Sequence, residues 1–178
     1  MNSIKIHDKY FKPFIRFEKI DNAINKIADN INSDLVGQTP IFLVILNGAF
    51  MFAGDLLKKI DLSCEVSFVK LSSYVGTKST KNVKQLIGFN EDIKGRSIII
   101  VEDIVDSGIT MENVLGQLKG MGAADVRIAT LLFKPDAFEK SYKIDYVGIE
   151  IPNDFIVGYG LDYNNQGRNL RDIFKIVE

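Results

Sequence analysis

Acidic and hydroxyl-bearing residues follow an apolar run in the middle of the chain, in a segment, 98–110, that reads IIIVEDIVDSGIT. Hydroxyls and backbone N–H groups at a tight turn before a predicted helix form an anion site that suits a phosphate monoester. Just ahead of that turn, Glu102 and Asp103 leave a strand in opposite directions, so one acid could face a ligand and the other a metal ion or a basic side chain. We predict a phosphate-binding site with functional acids; a solvated acidic turn is the alternative.

The sequence argues against a zinc site, a disulfide, a Ser–His–Asp site and a nucleotide P-loop. His7 and Cys64 are its only histidine and cysteine, so they cannot form a Cys/His zinc site or an intrachain disulfide. A Ser–His–Asp arrangement would have to recruit His7 from the extreme N-terminus. The segment 98–110 lacks the Gly-Lys-Ser/Thr ending of a nucleotide P-loop. Acid–base chemistry is therefore expected to use Asp, Glu, Lys or Tyr side chains.

Composition indicates one globular domain. The chain has 178 residues with 46% hydrophobic and 25% charged positions, which is ordinary for a folded domain. Its 22 basic and 23 acidic residues give a net charge of −1, which argues against a generally basic nucleic-acid binder. No apolar run approaches the roughly 18 residues of a spanning helix, and the N-terminus lacks a signal-peptide core. We expect a cytoplasmic protein with neither a nucleic-acid nor a membrane partner.

The elements around the motif are typical of an α/β fold with a parallel sheet. Apolar residues at helical spacing predict helices over 16–33, 49–59 and 110–121. Short apolar or alternating runs predict strands over 41–46, 64–71, 98–101, 126–133, 146–149, 155–159 and 174–177. Ligands of such sheets bind where strands end and helices begin, which is where the motif lies. We expect a single domain, 1–178, in which segments of about 1–35 and 150–178, including the N-terminal helix, form a small cap.

The motif and its surroundings resemble a known family. Residues 98–110 match, at every position, the thirteen-residue phosphoribosyl-pyrophosphate (PRPP) motif of the type I phosphoribosyltransferases. Further matches continue over most of the chain from about residue 40 and are most similar to the purine enzymes of that family. The resemblance implies a parallel sheet flanked by helices with a small cap, or hood. It also implies transfer of the 5-phosphoribosyl group from PRPP to N9 of a 6-oxopurine such as hypoxanthine or guanine, with release of pyrophosphate.

The resemblance also implies roles for the motif residues. The two acids, Glu102 and Asp103, would hold the ribose hydroxyls and Mg²⁺. The phosphate loop that follows would bind the 5′-phosphate and consists of Asp106, Ser107, Gly108, Ile109 and Thr110. Its aspartate, Asp106, would also face N7 of the purine and act as general base.

A second match is the sequence Leu46-Asn47-Gly48, which we call the pyrophosphate loop. In the family the equivalent loop binds pyrophosphate and contains a non-proline cis peptide bond, and Arg168 would contact the same group. Many relatives have Lys or Arg in place of Asn47, so backbone contacts could persist where a side-chain charge could not. Considered without the family, Asn-Gly indicates only a turn.

Further matches concern the purine. Lys134 follows the predicted strand 126–133, and its ammonium can donate to a carbonyl oxygen; the family lysine in this place binds O6. Phe155 would stack on the base, the backbone around Ile156 and Asp162 would contact its edge, and Asp162 would help position a second Mg²⁺. Without the family, these residues could equally be a solvated lysine, core residues and a turn.

The polar stretch 72–88 has few apolar residues and is predicted to be a long loop. The family places a Ser-Tyr pair on a lid over the reacting centre, which implies that role for Ser73 and Tyr74, with the lid covering about 72–86. The lysines of this stretch could instead form only a solvated face.

The sequence alone leaves other functions open. A regulatory protein could bind PRPP and control transcription, and a phosphate-binding structural domain could lack catalysis. An enzyme for xanthine or another oxopurine is also possible, since the residues do not rank hypoxanthine, guanine and xanthine. The resemblance implies a homodimer or homotetramer.

Overall fold

The computed structural model describes residues 3–74, 83–87 and 91–177. Its strands are β1 (Ile4–Ile6), β2 (Lys9–Ile15), β3 (Ile41–Leu46), β4 (Glu65–Tyr74), β5 (Val83–Ile87), β6 (Ser97–Val105), β7 (Asp125–Phe133), β8 (Tyr146–Glu150), β9 (Ile156–Val157) and β10 (Ile173–Ile176). Its α-helices are α1 (Phe17–Asp34), α2 (Phe50–Leu57) and α3 (Ile109–Gly120), and a short 3₁₀ turn covers Pro135–Ala137.

The main sheet has the strand order β5-β4-β3-β6-β7-β8. The five strands from β4 to β8 in that order are parallel, which confirms the predicted fold class. Successive residues of β3 and β6 face opposite layers of helix: Phe42 and Val44 lie in one core with α1 and α2, while Leu43 and Ile45 lie in another with α3. Burial on both faces explains the continuous apolar runs of these strands.

One edge of the main sheet differs from the prediction. The stretch 72–88 was expected to be a loop, but β4 continues to Tyr74 and the antiparallel strand β5 pairs with it. Lys70 pairs with Ile87 and Tyr74 with Val83. Backbone pairing at a sheet edge requires no apolar side chains, so the polar composition of this stretch concealed it. Residues 75–82 and 88–90 lie outside the described residues.

A second, antiparallel sheet, which we call the cap sheet, has the order β1-β2-β10-β9. The N-terminal part of the predicted cap is therefore a pair of strands, and helix α1 instead packs against β7 and β8 of the main sheet. The predicted strand 155–159 is limited to Ile156–Val157 and belongs to the cap sheet. Strand β2 escaped prediction because Pro13 interrupts it; a register shift in β10 accommodates this proline.

The C-terminal segment also holds the start of α1. The Asp172 carboxylate accepts hydrogen bonds from the Phe17 backbone N–H, at 2.8 Å, and from the Arg16 guanidinium, at 2.7 Å. A carboxylate is favourable there because the first N–H groups of a helix have no partner within it. Burial alone would raise the pKa of Asp172, but the hydrogen bonds and the Arg16 charge outweigh burial and lower it. The cap sheet and the main α/β layers are thus joined at this helix end.

Candidate active site

A cavity of about 330 Å³ opens at the carboxyl edge of the main sheet. Glu102 and most of residues 104–111 form its walls, together with Ile45 and Leu46 at the end of β3 and Leu71 of β4. Strand β6, the phosphate loop and the start of α3 thus surround one space, as the sequence predicted for its motif.

Gly108 shapes the phosphate loop. Its φ is +81°, in the left-handed region, and α3 begins at the next residue. The Tyr142 hydroxyl donates to the Gly108 carbonyl oxygen at 2.6 Å, and a Cβ on Gly108 would lie 2.5 Å from the Phe138 ring. Burial raises the pKa of Tyr142 to about 12, and the nearby Glu112 carboxylate adds to the rise. Sequence reasoning missed the support from Phe138 and Tyr142, because nothing local relates them to the motif.

The two motif acids occupy different places. Glu102 and Asp103 are both buried, with 9% and 8% of their surfaces exposed, but Glu102 lines the cavity while the Asp103 carboxylate lies against Gly48. A Cβ on Gly48 would collide with that carboxylate. Asp103 also accepts a hydrogen bond from the Ile104 N–H at 2.8 Å. Burial raises the pKa of Asp103 against the opposing effects of a side-chain hydrogen bond with Glu102, the Ile104 hydrogen bond and the Arg168 charge. Only Glu102 of the pair contributes to the cavity wall.

The pyrophosphate loop lies between two buried neighbours. Its Leu46–Asn47 peptide bond is cis, as the resemblance implied, and Asn47 is exposed. Gly48 contacts Asp103 on one side, and its carbonyl oxygen meets Gly160, where an added Cβ would collide with it. Gly160 has a φ of +99°. Glycine is therefore required both in the loop and in the segment that covers it.

Lys134 and Asp106, predicted as carbonyl donor and general base, come together. Lys134 is 8% exposed at the end of β7, and its Nζ lies 3.6 Å from Asp106 Oδ2. The same ammonium donates to Asn153 Oδ1 at 3.2 Å. The Lys134 backbone N–H also donates to the Val105 carbonyl, at 3.0 Å, which ties β7 to the start of the phosphate loop. Asn153 was not predicted, since the turn after β8 carries no chemical signal.

The other residues predicted to contact the purine, besides Lys134, lie in and next to the cap sheet. Phe155 is 48% exposed, and its ring meets Tyr163 edge-on at 5.8 Å. Ile156 is buried in β9. The Asp162 carboxylate accepts from the Asn165 N–H, at 2.7 Å, and pairs with Arg168 at 2.5 Å.

Arg168 links two parts of this region. Besides the pair with Asp162, its guanidinium donates to the Gly160 carbonyl at 2.7 Å. The arginine predicted to contact pyrophosphate thus holds the segment that covers the pyrophosphate loop.

The predicted lid lies largely beyond what the structure describes. Ser73 and Tyr74 are the last residues of β4, with backbones paired to Lys84 and Val83. Residues 75–82 are outside the described residues, so the lid remains a prediction.

In the part of the chain that the structure describes, no three or more His, Cys, Asp and Glu side chains are grouped to hold a metal ion. Nor does any helix of these residues have the length and apolar character to cross a membrane.

Comparison with known proteins agrees with this geometry. A hypoxanthine-guanine phosphoribosyltransferase of Streptococcus pneumoniae is 40% identical over 162 residues, covering 89% of each chain. One of Mycobacterium tuberculosis is 38% identical, covering 86% of this chain and 79% of the relative. The crystal structure of a hypoxanthine phosphoribosyltransferase from Staphylococcus aureus superposes with a TM-score of 0.86 at 32% identity, covering 93% of this chain and 91% of the other.

A parallel sheet with two acids and a phosphate loop at its carboxyl edge, completed by a cap sheet, defines a phosphoribosyltransferase. The model of the phosphoribosyl transferase domain family matches residues 16–164. The chain belongs to this family and, within it, to the hypoxanthine-guanine phosphoribosyltransferases.

Proposed function

We propose that this enzyme transfers the 5-phosphoribosyl group of PRPP to N9 of a 6-oxopurine, hypoxanthine or guanine, giving IMP or GMP and pyrophosphate in purine salvage. The observation that carries the proposal is the approach of Lys134 to Asp106, at 3.6 Å, beside a cavity lined by the phosphate loop. In this proposal Lys134 would donate to O6 and Asp106 would accept the N7 proton, next to the site of the 5′-phosphate.

The phosphoribosyl group would occupy the cavity. The loop of Ser107, Gly108, Ile109 and Thr110 would receive the 5′-phosphate at the start of α3, where backbone N–H groups and the helix dipole favour an anion. Glu102, in the cavity wall, would accept hydrogen bonds from the ribose hydroxyls. Asp103 would act through the pyrophosphate loop, because its carboxylate lies against Gly48.

The purine would lie between Lys134 and the exposed ring of Phe155. Transfer at C1 passes through an oxocarbenium-like state, as in glycosyl transfer generally, while the base gains positive charge at its attacking nitrogen. Lys134 would bind O6 and fix the base, and Asp106 would take the N7 proton as the N9 bond forms. Backbone groups at Ile156 and Asp162 would contact the edge of the base and select its substituents.

The donor set fits Mg²⁺ carried by the substrate. Mg²⁺ commonly uses one or two carboxylates together with substrate phosphates and water. Glu102, in the cavity wall, can offer a carboxylate oxygen. Asp162 would have to share an oxygen that already binds the Asn165 N–H or Arg168, and Asp103 could add one only if it left Gly48. When bound, Mg²⁺ would neutralise the departing pyrophosphate. Asn47, being uncharged, would leave the side-chain contact with pyrophosphate to Arg168.

Other features complete the proposal. The lid, with Ser73 and Tyr74, would exclude water from C1 during transfer.

In the cytoplasm the enzyme would form a homodimer or homotetramer. Two exposed apolar side chains, Val66 and Phe68, support an interface between subunits. They are 41% and 51% exposed and share one face of β4, on the side of the sheet that carries α2.

A pyrophosphate-release assay tests the activity. PRPP and Mg²⁺ would be supplied with hypoxanthine, guanine, xanthine or adenine in turn, with an Asp106→Asn variant as control. We expect release with the 6-oxopurines only, and far less from the variant. Release that requires no purine, or none with any 6-oxopurine, would contradict the proposal. A gel-shift with nucleic acid, expected to be negative, separates the enzyme from a PRPP-binding regulator.

A further inference from the structure

Tyr159 is a buried polar residue to which the proposed chemistry assigns no role. Only 1% of its surface is exposed, and its hydroxyl donates to Asp55 Oδ2 of helix α2 at 2.5 Å. Its backbone N–H donates to the Leu170 carbonyl at 2.8 Å, and its φ is +49°, a value uncommon for a residue other than glycine. A side chain held in this way fixes the backbone of the turn that carries it.

That turn covers the pyrophosphate loop. The next residue, Gly160, touches the Gly48 carbonyl closely enough to exclude a Cβ. Helix α2, which carries Asp55, begins at Phe50, two residues after Gly48. The hydrogen bond between Tyr159 and Asp55 therefore closes a ring that runs from Gly48 along α2, across to Tyr159, and back through Gly160.

The bond joins a neutral donor to an ionised acceptor. Burial alone would raise the pKa of Asp55, but hydrogen bonds from Lys58 and Tyr159 outweigh it and lower the pKa. Burial and the Asp55 carboxylate together raise the pKa of Tyr159. At neutral pH the hydroxyl thus donates to a carboxylate, the stronger kind of hydrogen bond. Lys58 holds the other oxygen, Oδ1, at 2.6 Å.

We propose that Tyr159 and Asp55 are positioning residues, whose hydrogen bond holds Gly160 against Gly48 and so sets the pyrophosphate loop to bind the diphosphate group of its ligand. Neither side chain lines the cavity. The inference rests on the proposed function for the identity of that ligand. It predicts an effect on diphosphate binding that exceeds any effect on purine binding.

The test compares Tyr159→Phe with Tyr146→Phe. Tyr146 is also a buried tyrosine whose hydroxyl donates to an aspartate, Asp34, at 3.0 Å, but it lies at the start of β8, away from the carboxyl edge of the sheet. Both variants lose a hydroxyl bonded to a carboxylate. The Tyr146 hydroxyl also accepts a hydrogen bond from the Arg127 guanidinium at 2.8 Å, so Tyr146→Phe should lose at least as much thermal stability as Tyr159→Phe. We expect Tyr159→Phe alone to raise KM for PRPP, and to raise Kd for Mg²⁺-pyrophosphate, measured by calorimetry, by up to about tenfold. The limit is the full value of one hydrogen bond to a charged group, because the bond affects binding only as far as it holds the loop in its binding form. KM for hypoxanthine should stay within about twofold.

Variants of Asp55, the acceptor of the hydrogen bond, test the same interaction. They do so even if Tyr159→Phe gives little folded protein. Asp55→Asn keeps an acceptor oxygen and should retain most of the pyrophosphate affinity, while Asp55→Ala should lose as much as Tyr159→Phe. The double variant should be no weaker than either single one, because both remove one interaction.

Wild-type pyrophosphate affinity in folded Tyr159→Phe or Asp55→Ala would overturn the inference, as would an equal rise in KM for hypoxanthine. Because calorimetry needs no turnover, a wild-type protein that binds pyrophosphate but transfers nothing would contradict the proposed function and leave the coupling intact.

Discussion

The Lys134 ammonium lies 3.6 Å from the Asp106 carboxylate, although the two residues follow different strands of the sheet, β7 and β6. Lys134 is held in place, since it is 8% exposed and also donates to Asn153. Asp106 is exposed at the mouth of the cavity. A purine that binds Lys134 through O6 would bring its N7 to the same carboxylate, because O6 and N7 lie on one edge of the base. The first two predictions follow from this pair.

Replacing Asp106 with Asn should remove the proton acceptor while keeping its size. We expect kcat to fall by about 10²- to 10⁴-fold, the usual contribution of a positioned general base, while KM for PRPP changes less. Steady-state kinetics with PRPP and hypoxanthine measure both. If kcat stays within a few-fold of wild type, the proton leaves through water and Asp106 only shapes the loop.

Lys134 should exclude adenine. Its ammonium can only donate, and the 6-amino group of adenine presents a donor where O6 presents an acceptor. We expect kcat/KM for hypoxanthine to exceed that for adenine by roughly 10⁴- to 10⁵-fold. Lys134→Gln should reduce turnover of hypoxanthine, whereas Lys143→Gln, at an exposed lysine, should not. Comparable turnover of adenine and hypoxanthine by the wild type would contradict this role.

Gly108→Ala should disturb the phosphate loop. The left-handed φ and the contact with Phe138 are both unfavourable for a Cβ, so we expect a loss of about 1–3 kcal/mol in the free energy of unfolding. KM for PRPP should rise as well. Gly116→Ala is the matched control, since a Cβ there meets nothing within 4 Å and should stabilise α3 by about 0.5–1 kcal/mol. Denaturant unfolding and PRPP titration check both; equal stability of the two variants would refute the account of Gly108.

Stability should depend on pH through Asp172. Its pKa is lowered in the folded state, below the roughly 3.9 of an unfolded aspartate, so its contribution is present above that value and is lost as pH falls through the folded pKa. We expect Asp172→Asn to be less stable than wild type by about 1–2 kcal/mol at pH 7, with a difference that shrinks towards pH 3. Asp29→Asn, at an exposed site of α1, serves as control. A difference that does not vary with pH would contradict the assigned role.

Ligands should protect the predicted lid. We expect trypsin to cut at Lys78 and Lys81 in the free protein and to cut less when a PRPP analogue, Mg²⁺ and purine are all bound. Lys84 of β5, whose backbone pairs with Ser73, should be cut more slowly than these two in the free protein. Cleavage can be followed by mass spectrometry, with each ligand added singly as control. The same cleavage rate with and without the full set would mean that residues 72–86 do not close over the site.

The strands and the motif could be predicted because each is marked by residues close together in the sequence. The run Ile41–Leu46 identified a strand buried on both faces, and residues 98–110 identified the acids and phosphate loop. The contacts that adjust the site join distant residues: Asp103 meets Gly48, and Tyr159 is 104 positions from Asp55. No periodicity or spacing encodes such pairs. The cap was only partly foreseen, because the alternation that would mark β2 is broken by Pro13.

The pairing of β2 with β10 sets an order in which the site can be completed during synthesis. Every strand of the main sheet, with the phosphate loop and Lys134, precedes residue 151. The cap sheet instead needs Ile173–Ile176 to pair with Lys9–Ile15. Among the described residues, β9, next to Phe155, has β10 as its one partner strand. A growing chain can therefore assemble the phosphate loop and Lys134 first, whereas Phe155 and the rest of the purine site must wait for β10 to be synthesised.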